Sequence, residues 1–382
     1  MNQLTPPMGW NTWNTFADKI SEQLIFECAD VLVESGLRDA GYTYVVIDDT
    51  WARKQRDNQH RLVVNTDKFP HGMKAVGDYL HSKGLKFGIY SCAGCMTCGQ
   101  YPGSYEHEFL DAQNFAEWGV DFLKYDYCFK PAEDTGDLLY RRMGTALANC
   151  GRDILFSACS WGADETHRWI KTTGAHMWRS TPDIVDSWES IKSLTKQQRA
   201  LFPYNGHGCF NDMDMLVVGM NGQGHVGLQG CDFAEYRTHF SLWAFFASPL
   251  MIGCDIRHMD EQTRTILMNK EVLAINQDPA YCQPFLLGGN QTDVRGGTED
   301  CFIMARLLNN GDFAIGLFNL SDDVSNFYFC MAELGLNRSC GKKLVMTNLW
   351  TGDVSETCDY RYTASIAPHD CLLLRAKVVN EE

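Results

Sequence analysis

The sequence lacks any segment that would insert into a membrane or direct secretion. No apolar run approaches the roughly 18–20 residues that span a bilayer. The first ten residues, MNQLTPPMGW, contain neither the basic region nor the apolar region of a secretory signal. We therefore expect a soluble protein with no membrane partner, located in the cytoplasm unless a leader has been removed from the sequence.

Positive charge is also scarce. The 382 residues include 33 lysines and arginines against 48 aspartates and glutamates, which gives a formal net charge of −15. No run of basic residues stands out, whereas proteins that bind nucleic acid or anionic membranes depend on such charge. We therefore expect no nucleic-acid partner. Hydrophobic residues make up 45% of the chain, which permits a large core and argues against disorder.

Cysteine is abundant, at 16 residues, but most of it is scattered through apolar stretches such as the one around Cys254, as is typical of buried free thiols. The exception is SCAGCMTCG, in which Cys92, Cys95 and Cys98 lie three residues apart. This spacing suits a zinc or iron–sulfur site. Two forms stay open: an iron–sulfur enzyme, which the spacing of the usual radical-enzyme motif disfavours, and a structural zinc clip completed by Cys128.

A repeated pattern of strands and helices predicts the fold of the first part of the chain. Short apolar runs that end in polar residues predict strands at 43–49, 85–91, 120–126, 153–159, 176–180, 212–218 and 248–253. Amphipathic segments predict helices at 20–36, 105–118, 135–149, 184–201 and 257–275, the first with Ser21 as its N-cap. About eight such units over roughly 280 residues favour a (β/α)₈ barrel, although periodicity alone leaves a doubly wound sheet open.

The pattern changes after about residue 285. FIMARLLNNGDFAIGLFNLS contains two apolar runs around an Asn-Asn-Gly-Asp turn, which predicts a β-hairpin. The later runs FYFCMA, KLVMTNLW and CLLLRAKVV have no helix between them. We therefore predict a barrel domain over residues 1–284, followed by an antiparallel β-sandwich domain over residues 285–382.

The predicted strand ends carry acidic, basic and aromatic side chains, and these ends meet at one face of a parallel barrel. The charged residues are Asp48, Asp49, Lys124, Asp126, Arg179, Asp183, Asp212 and Asp214, and the aromatic residues nearby are Trp10, Trp13, Trp51, Tyr90 and Trp161. Carboxylates bind hydroxyl groups and aromatic rings cover the C–H face of a sugar. Two carboxylates can also cleave a glycosidic bond.

The aspartates at the strand ends have other possible roles. A single aspartate at a strand end can cap a helix, and an Asp-Asp pair can bind Mg²⁺. The aromatic and cationic neighbours favour the sugar site. Lys124 and Asp126 share one face of a strand, so we expect the ammonium group to lower the pKa of Asp126 and keep it anionic.

At these residues the sequence resembles a known family. The segments TPPMGWNTWNTF, YVVIDDTW, KFGIYS, DFLKYDYC, WRSTPDIVDSW, NDMDMLVVG and VLAINQDP are similar to the signature blocks of glycoside hydrolase family 27 and cover residues 5–285 almost without a gap. The family includes α-galactosidases and α-N-acetylgalactosaminidases. Its fold, a (β/α)₈ barrel followed by an antiparallel β domain, agrees with the pattern of the sequence.

The resemblance implies a role for each matching residue. Asp126 matches the nucleophile and Asp183 the general acid/base of a double displacement that retains the α configuration, with no metal or organic cofactor. The matching substrate contacts are Asp48 and Asp49 for the 4- and 6-hydroxyls of galactose, Lys124 for the 3- and 4-hydroxyls, Arg179 for the 2-position, and Trp13, Tyr90 and Asp214 for the rest of the pocket. Cys98 and Cys128 match two cysteines that form a disulfide at the pocket wall.

The segment after the fifth strand bears on the choice of sugar. Ser160 and Ala163, which flank Trp161, match the small pair that makes room for the N-acetyl group in α-N-acetylgalactosaminidases. We expect removal of terminal α-D-galactose, with α-N-acetylgalactosaminidase as the first alternative. A β-L-arabinopyranosidase and a carbohydrate-binding protein without catalysis are further alternatives. The sequence leaves open the leaving group and whether the chain forms a homo-oligomer.

Overall fold

Eight short parallel strands form the centre of the first domain in this computed structural model, which describes residues 5–287 and 298–381. The strands are β1 (Met8–Asn11), β2 (Tyr44–Ile47), β3 (Lys86–Cys92), β4 (Phe122–Asp126), β5 (Leu155–Cys159), β6 (Met177–Arg179), β7 (Phe210–Asp212) and β8 (Leu250–Ile252). Their order in the sheet is β8-β1-β2-β3-β4-β5-β6-β7. A parallel bridge joins Leu216, four residues after β7, to Ile252 of β8 and brings the two ends of the sheet together, so the predicted barrel is confirmed.

Helices follow the strands around the barrel. They are α1 (Trp13–Phe16), α2 (Glu22–Glu34), α3 (Gly72–Ser82), α4 (Glu108–Glu117), α5 (Gly136–Ala148), α6 (Trp188–Leu201), α7 (Phe233–Phe245), α8 (Glu261–Leu267) and α9 (Lys270–Asn276). The predicted N-cap of α2 is confirmed, because the hydroxyl of Ser21 accepts a hydrogen bond from the Leu24 amide at 3.2 Å. Within the described ranges, no helix is long and apolar enough to cross a bilayer.

Two predicted elements differ from the structure. The single helix predicted at 257–275 is two helices, because the side chain of Asn269 accepts hydrogen bonds from the Glu271 and Val272 amides and begins a new helix. The strand predicted at 212–218 lies earlier, at β7. Its chain turns just after the strand, where Asp214 has a φ of 82°. That turn directs the polar end of β7 towards the barrel mouth.

The second domain contains the antiparallel strands β9 (Phe285–Leu287), β10 (Cys301–Leu307), β11 (Phe313–Asn319), β12 (Ser325–Cys330), β13 (Lys342–Asn348), β14 (Val354–Glu356), β15 (Arg361–Ile366) and β16 (Asp370–Asn380). Six of them form a sheet of order β9-β10-β11-β16-β13-β14, and β12 pairs with β15. Leu307 pairs with Phe313, which confirms the predicted hairpin. The boundary between residues 284 and 285 stays a prediction.

The large sheet buries both of its faces. On one face Ile303, Leu317 and Leu374 pack against the pair β12-β15. On the other face Phe302 and Phe318 join the core of the barrel, where Phe318 contacts Phe245 of α7 edge to face. Alternation along a strand produces this division, because successive side chains point to opposite faces of a sheet. The two domains therefore share a continuous apolar contact.

Candidate active site

A cavity of about 370 Å³ opens at the C-terminal ends of the barrel strands. Its lining combines five aspartates, two cations, two indole rings and an apolar edge: Trp13, Asn14, Asp48, Asp49, Tyr90, Cys98, Lys124, Asp126, Cys159, Trp161, Arg179, Asp183, Ile184, Val185, Asp214, Met215, His225 and Val226. Parallel strands bring these residues together because each strand delivers its last side chains to the same end of the barrel.

Asp126 lies at the end of β4, deep in the cavity, with 6% of its surface exposed. One carboxylate oxygen accepts a hydrogen bond from the Tyr90 hydroxyl at 2.9 Å, and the other accepts from the Tyr127 amide at 2.8 Å. Both Asp126 and Lys124 line the cavity, as their shared strand face predicts. The side chain is therefore fixed on both oxygens.

Lys124 lowers the pKa of Asp126 as predicted, but the net pKa of Asp126 is raised, not lowered. Burial raises the pKa of Asp126 to about 6, and the nearby Lys124 ammonium only partly opposes that rise. Lys124 is engaged elsewhere, since its Nζ donates to the Asp48 carboxylate at 2.7 Å. Desolvation of a buried carboxylate therefore outweighs the attraction of a cation that is already paired.

Asp48 and Asp49 form the closed end of the cavity, where they are 1% and 2% exposed. Asp48 accepts hydrogen bonds from the Asn11 side-chain amide at 2.8 Å and from Lys124. Asp49 accepts from the Gly99 amide at 2.7 Å. Burial raises the pKa of Asp49, and the Gly99 amide opposes that rise. Each carboxylate keeps lone pairs that can accept hydroxyl groups from a ligand.

A disulfide joins Cys98 to Cys128 in the cavity wall, with their Cα atoms 5.3 Å apart, and confirms the pairing that the family resemblance implies. The sulfur of Cys98 lies 3.5 Å from the Asp126 carboxylate. Cys92 is buried and its thiol donates to the Cys128 carbonyl at 3.1 Å, whereas Cys95 is exposed. The disulfide ties the end of β3 to the end of β4, beside Asp126.

The same wall contains a cluster of potential metal ligands. Over residues 5–287 and 298–381, the group of three acidic, histidine or cysteine ligands close enough to share an ion is Cys98, Asp126 and Cys128. Two of these are joined to each other and have no thiolate to offer. Cys92 and Cys95 do not join the group, so the four cysteines of the zinc clip are not brought together.

Arg179 organises the opposite side of the cavity. The residue is 3% exposed, and its guanidinium lies 3.0 Å from the carboxylates of both Asp183 and Asp214. Asp214 is buried and accepts a hydrogen bond from the Ile184 amide at 2.8 Å, whereas the Asp183 side chain is 73% exposed at the cavity mouth. Burial raises the pKa of Asp214. One cation therefore holds an exposed carboxylate at a fixed place on the rim.

The structure corrects the placement of Ser160 and Ala163, which do not line the cavity. Ser160 is fully buried behind the wall, and its hydroxyl shares a hydrogen bond of 2.7 Å with Thr166. Cys159 and Trp161 line the cavity instead, and the Cys159 sulfur lies 3.7 Å from Arg179. Strand alternation explains the difference, because Cys159 pairs with Asp126 and points inward, so the next residue points outward.

The sequence prediction missed several lining residues: Asn14, Cys159, Ile184, Val185, Met215, His225 and Val226. A signal existed for Cys159, whose position at the end of β5 is equivalent to that of Asp126 on β4. Val185 and Val226 reach the cavity through the short parallel strands Asp186–Ser187 and Gly227–Gly230, which lie outside the barrel sheet. Strands of two and four residues are too short to carry a periodic signal in a sequence.

The cavity thus places the buried carboxylate of Asp126 and the exposed carboxylate of Asp183 on different sides of a space that is lined by hydrogen-bonding groups and aromatic rings. Two family models match the chain. The model described as alpha galactosidase A matches residues 5–278, and the model described as alpha galactosidase C-terminal beta sandwich domain matches residues 298–376. The chain belongs to the α-galactosidase family. The resemblance to glycoside hydrolase family 27 is confirmed, and the chain is a glycoside hydrolase.

Individual members of the α-galactosidase family agree with this chain over nearly its whole length. Alpha-galactosidase 3 of Arabidopsis thaliana is 42% identical over 372 residues, which cover 96% of this chain and 80% of the relative. The alpha-galactosidase of Coffea arabica is also 42% identical and is covered to 92%. The crystal structure of alpha-galactosidase I from Mortierella vinacea superposes with a TM-score of 0.87 at 31% identity, covering 98% of this chain and 97% of that one.

Proposed function

We propose that the chain is an α-galactosidase, which removes a terminal α-D-galactose residue from a small glycan with retention of configuration. The observation that carries the proposal is the buried pair Asp48 and Asp49 at the closed end of a cavity of about 370 Å³. Carboxylates at this end can accept hydrogen bonds from hydroxyl groups of the ring. The anomeric carbon then lies nearer the mouth, between Asp126 and Asp183.

The proposed chemistry has two displacements. The Asp126 carboxylate attacks the anomeric carbon while Asp183 gives a proton to the departing oxygen. Asp183 then takes a proton from a water molecule, whose oxygen attacks the anomeric carbon and displaces the Asp126 carboxylate. The contacts suit these roles, since Tyr90 and the Tyr127 amide orient the Asp126 oxygens and Arg179 holds Asp183 at the rim. Two inversions at one carbon give net retention.

N-acetylgalactosamine and L-arabinopyranose are the two alternatives to galactose as the sugar that is removed. The small-pair argument for N-acetylgalactosamine loses its basis because Ser160 and Ala163 lie outside the cavity lining. L-arabinopyranose lacks the hydroxymethyl group of galactose, so one hydroxyl partner of the Asp48 and Asp49 pair, the 6-hydroxyl, would be missing. We therefore expect kcat/KM to be highest for p-nitrophenyl α-galactoside among the α-galactoside, the α-N-acetylgalactosaminide and the β-L-arabinopyranoside. A higher value for either competitor would contradict the choice of galactose.

The nucleophile has a separate test. Asp126→Gly removes the attacking oxygen, so hydrolysis of p-nitrophenyl α-galactoside should fall below about one part in a thousand. Azide should restore release of p-nitrophenol and give β-galactosyl azide, because it attacks the face that Asp126 occupied. An exposed aspartate, Asp78, serves as the control position, and Asp78→Asn should keep its activity. Full activity of Asp126→Gly without azide would contradict the assignment.

The cytoplasmic location stays a prediction from the sequence, and whether the chain forms a homo-oligomer stays open. Both can be read from the native protein, by fractionation of the source cell and by light scattering.

A further inference from the structure

The mouth of the cavity is apolar on the side of Asp183. Val185 follows two residues after Asp183 and is 38% exposed, and Val226 is half-buried beside it. A hydrogen bond of 3.0 Å from the Asp186 amide to the Val226 carbonyl brings the two segments together. Leu228 continues from Val226 along the short strand and is 57% exposed. Large apolar side chains at this exposure are candidates for ligand contact.

The rim that carries these side chains is firmly held. The Asp186 carboxylate is fully buried and accepts hydrogen bonds from the Gly222 amide at 2.7 Å and from the Tyr236 hydroxyl at 2.9 and 3.0 Å. The Val185 amide donates to the Ser190 hydroxyl at 3.0 Å. A contact surface that is already in place binds a ligand without the entropy cost of ordering it.

The position of the acid decides which part of a substrate meets this rim. A general acid must lie within hydrogen-bond distance of the oxygen that departs. Under the proposed function that oxygen lies beside Asp183, and the sugar ring extends from there towards Asp48 and Asp49. Whatever is attached to the oxygen therefore leaves the cavity past Val185 and Val226.

The charges that line the cavity favour an uncharged leaving group over an anionic one. Five aspartates line the cavity against two cations, Lys124 and Arg179, and both cations are already paired with carboxylates. An anionic leaving group would meet a surplus of negative charge in a partly desolvated place. An uncharged group with an apolar face meets no such penalty and covers the valines.

We propose that Val185, Val226 and Leu228 form a leaving-group platform, which receives the C–H face of an uncharged second sugar and thereby sets the preference for the leaving group. The platform rests on the proposed function. It assigns to this chain a specificity for neutral oligosaccharides over those whose second residue is a uronic acid.

The test uses the intact protein and two substrates that carry the same α-galactosyl group but differ in the leaving group. In α-galactosyl-(1→6)-glucose the leaving group spans the platform, whereas in α-galactosyl fluoride it is a single atom that does not reach it. The quantity to measure is kcat/KM for the disaccharide divided by kcat/KM for the fluoride. We expect Val185→Thr and Leu228→Ser each to lower this ratio about five-fold, because KM for the disaccharide rises. Val185→Thr keeps the shape of the side chain, and Leu228 is exposed, so neither change removes packing from the core.

A matched control keeps the test specific. Val324 is 62% exposed in the second domain, and Val324→Thr should leave the ratio as it is. The unaltered protein should also prefer the neutral disaccharide to α-galactosyl-(1→6)-glucuronic acid. A ratio that stays constant in both platform variants would overturn the platform while the proposed function stands. Failure of the unaltered protein to hydrolyse α-galactosyl fluoride would overturn the proposed function, and the platform with it.

Discussion

Asp126 is a carboxylate that must be anionic to attack, yet burial raises its pKa to about 6. The free protein therefore loses its nucleophile as the pH falls through about 6, and kcat/KM should decline on that acid limb. Lys124 lowers the pKa of Asp126, so Lys124→Met should move the limb to higher pH as well as lowering the rate. The measurement is kcat/KM for p-nitrophenyl α-galactoside from pH 4 to 8.

Lys74, which lies exposed on α3 and pairs with Asp78, provides the control for that experiment. Lys74→Met should leave the limb where it was. An acid limb near pH 4 in the unaltered protein would contradict the effect of burial on Asp126.

Residue types alone could identify most of the acids of the site, because these acids come directly after the apolar runs that predict strands. They could not fix which way each side chain points. Cys159 and Ser160 are neighbours, and a shift of one residue exchanges the inward and outward positions. Only the pairing of Cys159 with Asp126 on the adjacent strand decides between them. The same limit applies to Asp126, whose pKa depends on burial that no local pattern reveals.

The segment of residues 93–104, between β3 and α4, is attached to the end of β4 by the Cys98–Cys128 disulfide and by two backbone hydrogen bonds, from the Ala93 amide to Asp126 and from the Cys95 amide to Phe129. Its Gly99 amide holds the Asp49 carboxylate, so reduction of Cys98–Cys128 should loosen both the wall and the closed end of the cavity. Loss of a hydrogen bond to a charged group costs about 1.5–3 kcal/mol, so we expect KM to rise at least about ten-fold. The measurement is KM for p-nitrophenyl α-galactoside with and without a dithiol reductant.

Two variants separate this effect from other thiol chemistry. The double change Cys98→Ser, Cys128→Ser should reproduce the high KM and make it insensitive to the reductant. Cys95→Ser, in the same segment but outside the disulfide, should behave as the unaltered protein. A KM that stays the same after complete reduction would show that the segment holds its place without the bond.

The helices show how far periodicity carries a prediction. α4, α5 and α6 have one buried face and were predicted within a few residues. α7 was not predicted, because it lies between the barrel and the second domain and is buried on nearly every side from Tyr236 to Phe245. A helix without a polar face has no amphipathic pattern. Its capping box of Asp232 and Glu235 was the available local signal.

The two domains are joined by polar contacts as well as by apolar packing. Arg237 of α7 donates to both oxygens of Asp370 at 2.7 and 2.8 Å, and both side chains are about one-fifth exposed. Both hydrogen bonds come from one guanidinium nitrogen, Nη2. Breaking this partly buried charged pair should cost about 1–3 kcal/mol, so Arg237→Gln should lower the free energy of unfolding by that amount. The measurement is urea unfolding followed by tryptophan fluorescence and by circular dichroism.

The exposed pair Arg53 and Asp67, at 2.8 Å, is the matched control, and Arg53→Gln should cost less than about 1 kcal/mol. We expect both probes to report one transition, because Phe318 packs against Phe245 across the domain contact. Two separate transitions in the unaltered protein would show that the domains unfold independently.

The cavity has its buried carboxylates Asp48 and Asp49 at one end, and its exposed acid Asp183 marks the entrance. Under the proposed function this sets the order of departure. The leaving group blocks the entrance and must go before water can arrive, and the released galactose goes last. Galactose keeps its hydroxyl contacts with Asp48 and Asp49 until it dissociates. Accumulated galactose therefore competes with the next substrate, so the enzyme slows as its own product builds up in a closed vessel.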